Sequence, residues 1–538
     1  MSTFKINFTR RLATNQTQEE FKRIDEEIQK LHTQIRTLLT RRNRVTPISK
    51  LPAEIMTLIF SIVRDLPTTD WRSSKGRVIL GITWVCKDWR ELVLDTPELW
   101  RVIDLKATGF VQASLDRSRN LPLSIEFFGI NQQAPSLPLV LQSLDRIKAL
   151  QLSGQRDIGN AWFSFPIQWQ RPALLLEELT LESVTISEFL FAGKIPCLRR
   201  LSLSECYFNS DLHEVPVSAH LNTLKIARSH PLLVMGDLLS LLRLSLNLEE
   251  LELYETFARQ HLQTPIHTLP SISHPRLRRL LISHEGLDMV IALLEKLTTS
   301  STTYISVQKP RSCSLQHRPL LISAINKCRS REQVFPVSLK IRARSESSLI
   351  EVSEDGDRVD GPGFRVEFTH LNSDAVGSSV SACDLFSLSS LETLEIDGGD
   401  IKIPPALLSM AFSSNAPVLR TLKIYGVASA FVQRLTEEAK ESHLLTKSTM
   451  GYSAGNAGEI PYPLRALECL ELEGFQHVAH DLQLLQLALT AWTYCSGHLL
   501  KNLIIVVDPE DLTKETELFE DVVEHVEYRE PALSMEDE

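Results

Sequence analysis

The chain has 538 residues, of which 43% are hydrophobic and 23% are charged, and its formal net charge is −10. This length exceeds what one hydrophobic core usually supports, so we expect several folded units or an elongated repeat array. The composition excludes an intrinsically disordered chain. Residues 1–50 carry eleven Lys and Arg against five acidic residues, and no basic face that would serve nucleic acid occurs outside them.

The cysteine pattern and the hydropathy indicate where the protein works. Eight cysteines are scattered along the chain without a C-x-x-C pair, which is typical of a reducing compartment. The first residues lack an apolar segment of signal-peptide length, and no run of eighteen apolar residues occurs. We therefore expect a protein of the cytoplasm or the nucleus that does not bind a membrane.

The chain begins with a polar segment, residues 1–17, which we predict to be flexible. An amphipathic helix is predicted over residues 18–45, because apolar residues alternate at three- and four-residue steps, as in a coiled coil. These residues are Phe21, Ile24, Ile28, Leu31, Ile35 and Leu38. Two interpretations fit this pattern. The helix pairs with a second copy of the chain through residues 21–38, giving a homodimer, or it packs on neighbouring parts of its own chain.

Two short amphipathic helices are predicted within residues 46–105. Pro52 stands where a first helical turn tolerates proline, because the missing N–H has no partner inside the helix. Apolar residues at helical spacing follow in both segments: Ile55, Leu58, Ile59 and Ile62, then Leu80, Trp84, Val85, Trp89 and Leu92. Two such helices cannot bury all of this surface against each other. Part of it is expected to remain for a partner.

These residues carry a family resemblance. The stretch has Leu51-Pro52 at its start, Ile55 and Ile59-Phe60 in the first helix, Val85-Cys86-Lys87-x-Trp89 in the later one, and Leu99-Trp100 at its end. It resembles an F-box, especially those of the expanded fungal families, although residues 65–77 form a longer polar insert than usual. The resemblance implies docking on the Skp-type adaptor of an SCF-type, cullin-RING ubiquitin ligase. The implied adaptor-binding residues are Leu51, Pro52, Ile55, Ile59, Phe60, Val85, Cys86, Trp89, Leu92 and Trp100.

After Trp100 the sequence becomes repetitive, with L-x-x-L-x-L as the recurring unit. The last apolar positions of the first six units are 22 to 29 residues apart, which is the period of leucine-rich repeats. The second and third apolar residues of a unit are two apart, so on a strand they point to the same side. The units are Ile147/Leu150/Leu152, Leu176/Leu179/Leu181, Leu198/Leu201/Leu203, Leu221/Leu224/Ile226, Leu248/Leu251/Leu253, Leu277/Leu280/Ile282, Leu391/Leu394/Ile396, Leu419/Leu422/Ile424, Leu467/Leu470/Leu472 and Leu500/Leu503/Ile505.

Helical patterns separate these strands, and we predict helices at 186–191, 237–244, 289–297 and 320–327. Alternating strands and helices give a parallel sheet with helices outside it. The array is similar to the leucine-rich-repeat horseshoe that many F-box proteins carry. One departure is the position three residues past the last leucine, where Asn or Cys is expected and only Cys206 conforms. Val184, Ser229, Thr256 and Glu285 stand there in other units, so the side-chain ladder that would satisfy strand carbonyls is expected to be missing.

The predicted fold class is α/β: an N-terminal helix and a small all-α F-box, then a leucine-rich-repeat α/β solenoid (horseshoe). The predicted boundaries are 46–105 for the F-box, 106–508 for the solenoid and 509–538 for an acidic C-terminal tail. Loop inserts are expected near 342–383 and 440–461, with weaker units at Ile305/Val307 and Leu339/Ile341. Residues 508–538 hold thirteen acidic residues against Lys514 and Arg529, and Leu518, Val522 and Val526 predict a terminal helix.

The sequence predicts no enzyme, no cofactor and no metal. Gly451-Tyr452-Ser453-Ala454-Gly455 matches a nucleophile elbow, but its flanks lack the strand and helix that this turn requires. His477 and His480 are three apart without further ligands at metal spacing. We expect a substrate-recognition subunit of the ligase; the alternative is a leucine-rich-repeat interaction scaffold outside any ligase. Candidate target-binding residues on the concave face are Ser202, Ser204, Lys225, Glu252 and Glu395.

Overall fold

The structure is a computed structural model, and it divides the chain into two compact units, Met1–Leu179 and Thr180–Glu538. The first unit holds helices and a small parallel sheet, and the second holds a large, mostly parallel sheet with helices. The structure describes residues 2–66, 75–105, 108–130, 136–154, 163–164, 171–186, 190–208, 218–257, 269–311, 317–330, 335–343, 347–355, 362–369, 388–398, 408, 412, 416–449, 464–508 and 518–531.

The helices fall in both units. They are α1 (Ser2–Arg44), α2 (Ala53–Asp65), α3 (Lys75–Thr83), α4 (Lys87–Asp95), α5 (Thr108–Arg117), α6 (Leu137–Leu141), α7 (Met235–Leu244), α8 (Leu287–Lys296), α9 (His317–Cys328), α10 (Ala428–Thr449) and α11 (Val478–Ser496). Short 3-10 turns occur at Pro47–Lys50, Pro97–Trp100, Leu144–Arg146, Leu190–Gly193 and Leu388–Ser390. Among the described residues, none of these helices combines the length and the apolar character needed to cross a membrane.

The strands are mostly short. They are β1 (Val102–Asp104), β2 (Leu123–Ile130), β3 (Ile147–Gly154), β4 (Phe163–Ser164), β5 (Glu178–Glu182), β6 (Val184–Ile186), β7 (Arg200–Ser204), β8 (Tyr207–Phe208), β9 (Thr223–Ala227), β10 (Glu250–Tyr254), β11 (Ile272–His274), β12 (Arg279–Ser283), β13 (Leu297–Thr299), β14 (Tyr304–Arg311), β15 (Ser338–Ala343), β16 (Ser347–Ser353), β17 (Gly363–Thr369), β18 (Thr393–Asp397), β19 (Thr421–Tyr425), β20 (Cys469–Glu473), β21 (Leu500–Val506) and β22 (Val523–Arg529).

Helix α1 is longer than predicted. It begins at Ser2, so the structure is helical where the sequence indicated a flexible segment over residues 1–17. From residue 17 to residue 39 every side chain is exposed, including the six apolar residues at coiled-coil spacing. An ion pair of 3.2 Å joins Arg44 at the end of α1 to Asp88 of α4. Among the described residues, nothing packs on the apolar stripe, contrary to the interpretation that it packs on neighbouring parts of its own chain.

The first unit has one core that runs beyond residue 105. Strands β1, β2 and β3 pair in parallel, in that order. Helix α5 contributes Phe110, whose ring centroid lies 5.1 Å from that of Trp100. Arg117 of α5 places its guanidinium carbon over the Trp100 ring, 4.6 Å from the ring centroid. The helical module of residues 46–105 is thus packed together with the element that follows it.

The second unit is organised by one sheet. Its described strands pair in the order β7, β9, β10, β12, β14, β17, β16, β15, β18, β19, β20, β21 and β22. All of these neighbours are parallel except for the two that involve β16, which runs antiparallel to β17 and to β15. The hairpin of β16 and β17 lies within 342–383, where the sequence predicted a loop insert, so that prediction is wrong for these residues.

The apolar residues of the L-x-x-L-x-L units are core residues. All thirty apolar residues of the ten predicted units are buried, as are Ile305, Val307, Leu339 and Ile341. Neighbouring strands pair in register, so that Leu201 lies opposite Leu224 and Leu251 opposite both Leu224 and Leu280. Identical positions therefore stack, and their side chains merge into one apolar layer. Burial of all three positions agrees with the second and third apolar residues of each unit pointing to one side of the strand.

Most of the predicted connecting helices are present. Helices α7, α8 and α9 cover the patterns at 237–244, 289–297 and 320–327. The pattern at 186–191 is different, because it holds the end of β6 and the start of a 3-10 turn. The last leucines of the units before and after it, Leu181 and Leu203, are only 22 residues apart, which leaves little chain for a helix. The predicted helix at this place is wrong.

The C-terminal prediction also fails. Leu518, Val522 and Val526 have helical spacing, but residues 523–529 form strand β22, which pairs in parallel with β21. Main-chain hydrogen bonding to an existing sheet edge outweighs the weak helical pattern. Of the second predicted insert, 440–461, the first residues continue helix α10 to Thr449, and 450–461 lie outside the described residues.

One side-chain hydrogen bond to a strand carbonyl occurs at a position, Thr256, where the sequence predicted none. The hydroxyl of Thr256 donates to the carbonyl of Ile226 at 3.2 Å, and the Cys206 thiol donates to the carbonyl of Leu181 at 3.4 Å. Burial raises the pKa of Cys206 to about 12, so the sulfur keeps the proton that it donates. Thr256 therefore satisfies a strand carbonyl by side-chain hydrogen bonding, as Cys206 does. The expectation that such a bond is missing is wrong at this position.

Candidate functional site

The candidate site lies on the helical module of residues 46–105. Its core is built from α2, α3, α4 and the 3-10 turn that ends at Trp100. The buried apolar side chains that form it are Met56, Phe60, Ile79, Ile82, Val93, Leu99, Trp100 and Phe110. Met56 and Phe60 are four residues apart on α2, so they occupy one face of that helix. This face is the inner face of α2.

Polar contacts of Trp100 and Arg64 fix the turn at the end of the module. The indole Nε1–H of Trp100 donates to the carbonyl of Val93 at 2.7 Å, which satisfies the one polar atom of a fully buried ring. Arg64 is also buried, and its Nη1 donates to the carbonyl of Glu98 at 3.0 Å. The Arg64 guanidinium pairs with Asp65 at 2.7 Å. The Arg64 bond to Glu98 ties the end of α2 to the turn Pro97–Trp100, and the Trp100 bond ties α4 to the same turn.

The outer face of α2 is apolar and uncovered. Ile55, Leu58 and Ile62 lie at steps of three and four residues, and they are 44%, 55% and 54% exposed. We call these three residues the α2 stripe. A helix that is apolar on both faces usually lies in the interior of a protein. On this module the second apolar face meets solvent instead.

A second exposed apolar group stands at the turn between α3 and α4. Trp84 is 74% exposed and Val85 is 57% exposed. The turn itself is fixed, because the Cys86 sulfur accepts a hydrogen bond from the Trp89 N–H at 3.4 Å and caps α4. Arg90 donates from Nε to the carbonyl of Thr83 at 2.9 Å. The two exposed side chains are thus presented by an ordered turn.

The predicted adaptor-binding residues fall into three groups. Leu51, Pro52, Ile55 and Val85 are exposed, whereas Ile59, Cys86, Trp89 and Leu92 are partly buried. Phe60 and Trp100 are buried in the module core, so they cannot form a contact surface, and their prediction as contact residues is corrected. Their role is to hold the helices that carry the exposed residues. Leu58, Ile62 and Trp84 are exposed as well, although only their apolar spacing signalled them.

Four of the five candidate target-binding residues lie close together on the large sheet. Ser202, Lys225 and Glu252 are direct neighbours on β7, β9 and β10, and Ser204 is two residues along β7. Lys225 Nζ lies 3.3 Å from Glu252 and 5.1 Å from the centroid of the Tyr254 ring. Burial and the Glu252 carboxylate raise the pKa of Tyr254. The side chains on this part of the sheet thus form a paired polar surface.

Glu395 lies apart from these four, on β18, where it pairs with Lys340 of β15. Its neighbours form further charged pairs on the same sheet. Asp397 pairs with Arg342 at 2.8 Å, and Lys423 and Arg529 each lie 3.7 Å from Glu471. Burial raises the pKa of Glu473, and the charges of Asp397 and Glu471 raise it further. The structure therefore does not bring all five predicted residues into one site.

The described residues show no metal centre. Within the described ranges, no three His, Cys, Asp or Glu side chains come together as metal ligands would. His477 and His480 lie exposed at the start of α11, where the His477 N–H donates to Asp481. Ser453 and the motif around it lie outside the described residues.

Comparison with known families identifies the module. Residues 48–106 match the family described as F-box-like. The chain carries an F-box-like domain. This domain comprises the exposed α2 stripe, the turn with Trp84 and Val85, and the buried core that supports both. Comparison with the curated proteins gives no significant match.

Proposed function

We propose that this protein is the substrate-recognition subunit of an SCF-type, cullin-RING ubiquitin ligase. F-box-like domains generally bind Skp-type adaptors, and residues 48–106 form such a domain. The observation that carries the proposal is the α2 stripe, three large apolar side chains left in solvent by a domain whose core is otherwise filled. Exposed apolar surface of this kind marks a protein interface.

In this proposal the adaptor covers the α2 stripe together with Leu51, Pro52, Trp84 and Val85. The partly buried Ile59 and Trp89 lie beneath this surface and set its shape. An interface of this type derives most of its affinity from a few large apolar residues near its centre. Ile55 and Leu58 are the residues we expect to matter most.

The second unit is proposed to be a leucine-rich-repeat array, a horseshoe that binds the target protein. The in-register leucine positions and the strand spacing of 22 to 29 residues support it. The binding surface would be the polar side of the sheet, with Ser202, Ser204, Lys225 and Glu252 in one region and Glu395 in another. The charged pairs there would give specificity more than affinity.

The chain is proposed to act without forming bonds itself. By holding adaptor and target together, it would raise the effective concentration of a target lysine near the ubiquitin carried by the ligase. No cofactor or metal is part of this role. Such a subunit would work in the cytoplasm or the nucleus.

Co-purification from cells tests the proposal. Full-length protein is captured with proteasome activity inhibited, and the captured material is examined for the adaptor and a cullin. We expect both with the wild-type chain and neither with the Ile55→Glu/Leu58→Glu double variant. A matched control, Leu246→Glu, changes an exposed leucine of the second unit and should retain both proteins. Recovery of target proteins without adaptor or cullin would instead favour a scaffold that acts outside a ligase.

A further inference from the structure

Helix α1 carries an apolar stripe that nothing in the described structure covers. Its six residues at coiled-coil spacing are all exposed, from Phe21 and Leu38, each 65% exposed, to Ile28 at 42%. The other residues of the stripe are Ile24, Leu31 and Ile35. At the end of the helix, Arg44 forms an ion pair with Asp88 of the F-box-like domain. A solvated helix with so continuous a stripe is typical of one strand of a coiled coil.

We propose that α1 pairs with α1 of a second copy of this chain, in an antiparallel coiled coil. When the two helices are centred on residues 29 and 30, every layer is filled by large apolar side chains. Phe21 then faces Leu38 of the second copy, Ile24 faces Ile35, and Ile28 faces Leu31. No polar residue interrupts the six layers, so the stripe is complementary to itself in this orientation.

The residues that flank the stripe favour the antiparallel orientation. In a coiled coil these flanking positions contact the partner helix and decide its direction. The antiparallel pair places Glu20 opposite Arg41, Asp25 opposite His32, and Glu27 opposite Gln34. No like charges meet. A parallel pair in register would place Glu20 opposite Asp25, two acids, and would leave Arg41 opposite the uncharged Thr46.

The charge along the stripe region leads to the same orientation. Its acidic residues, Glu19, Glu20, Asp25, Glu26 and Glu27, outnumber Lys22 and Arg23 in the first half, whereas the second half carries only the basic residues Lys30, Arg36, Arg41, Arg42 and Arg44. Antiparallel pairing sets the acidic half of one helix beside the basic half of the other, and it also opposes the two helix dipoles. Parallel pairing would set like halves together.

This dimer would use a surface separate from the α2 stripe, so it does not depend on the proposed ligase role. The first experiment is the mass of the full chain in solution, by sedimentation equilibrium at micromolar concentrations. We expect a dimer for the wild type. Leu31→Glu should raise the dimer dissociation constant about 100-fold, because it places two carboxylates in the central layers. Thr33→Glu, which adds the same charge on the opposite face of α1, should leave the constant unchanged.

Charge variants then test the orientation. In the antiparallel pair, Glu20→Lys and Arg41→Glu should each weaken the dimer about fivefold, and the double variant should restore it. A parallel pair predicts that Glu20→Lys strengthens the dimer and that Arg41→Glu has no effect. Because α1 is exposed, these variants leave the domain cores intact, which circular dichroism can verify. A monomeric wild type, a dimer insensitive to Leu31→Glu, or a dimer strengthened by Glu20→Lys would overturn the proposal.

Discussion

The ring of Phe60 lies 4.9 Å from the ring of Trp89, with the two planes inclined by 58°. Phe60 belongs to α2 and is buried, whereas Trp89 belongs to α4 and is partly exposed. This contact joins the helix that carries the α2 stripe to the helix that follows Trp84 and Val85. The position of the exposed surface therefore depends on a buried aromatic pair.

Truncation of Phe60 should strongly destabilise the F-box-like domain. Phe60→Ala removes a ring that is 2% exposed and leaves a cavity against Trp89, so we expect a loss of about 3–5 kcal/mol in the free energy of unfolding. Denaturant unfolding followed by tryptophan fluorescence measures it. Leu58→Ala, two residues away on the exposed face, should change this free energy by less than about 0.5 kcal/mol. Equal losses for the two variants would contradict the assignment of faces.

The two faces of α2 show where sequence reasoning reaches its limit. The sequence predicts an apolar stripe of Ile55, Leu58, Ile59 and Ile62, but it also predicts Phe60 on the contact surface, where the structure buries it. The helix is apolar on both sides, and spacing alone does not tell which side meets the core. The core is completed by α3, α4 and Trp100, and their packing places Phe60 inside.

The core residues of the large sheet are easier to predict from the sequence than the exposed residues of the F-box-like domain. Each L-x-x-L-x-L unit is a local pattern whose leucines are buried by the neighbouring units, so its residues could be read from the sequence one unit at a time. Strand β22 could not, because its conformation depends on pairing with the distant β21. The hairpin of β16 and β17 could not be predicted either, because these strands are defined by pairing with each other and with β15 and β14.

A matched pair of hydroxyls tests the side-chain ladder. Thr256→Val removes the hydrogen bond to the Ile226 carbonyl and should lower the free energy of unfolding by about 1 kcal/mol. Ser229 occupies the corresponding position of the preceding unit, and its buried hydroxyl has no hydrogen-bond partner among the described residues. Ser229→Ala should therefore be neutral or stabilising in thermal unfolding. The reverse order of the two effects would contradict the ladder.

The buried His274 should make stability depend on pH. Burial lowers its pKa below the ordinary value of 6.5, and neither ring nitrogen has a hydrogen-bond partner among the described residues. The unfolded chain takes up this proton at a higher pH than the folded chain does. The stability it contributes is thus complete above about pH 6.5 and falls as the pH is lowered through and below that value.

A His274→Leu variant isolates this contribution. The difference in unfolding free energy between variant and wild type should shift in favour of the variant as the pH falls from about 7.5 to 5. Denaturant titrations at a series of pH values measure the difference. A difference that stays constant over that range would show that His274 is not the titrating group.

The ion pair of Arg329 and Glu354 should be costly to break. The Arg329 side chain is fully buried and Glu354 nearly so, with Nη1 and the carboxylate oxygen 2.9 Å apart. Glu354→Gln leaves a buried cation without its counter-charge, so we expect a loss of about 3 kcal/mol in denaturant unfolding. The half-exposed pair of Arg365 and Glu367, 3.5 Å apart, is the control, and Glu367→Gln should cost less than about 1 kcal/mol. Similar effects at the two sites would contradict this reasoning.

The most direct test of the proposed function is the affinity of the purified full chain for a purified Skp-type adaptor, measured by isothermal titration calorimetry. The account predicts binding by the wild type and by Leu246→Glu. It predicts that Ile55→Glu/Leu58→Glu, which places two charges on the exposed α2 stripe, weakens binding at least about 100-fold without loss of folding. A double variant that binds the adaptor as tightly as the wild type would contradict the claim that this uncovered apolar face is the docking surface.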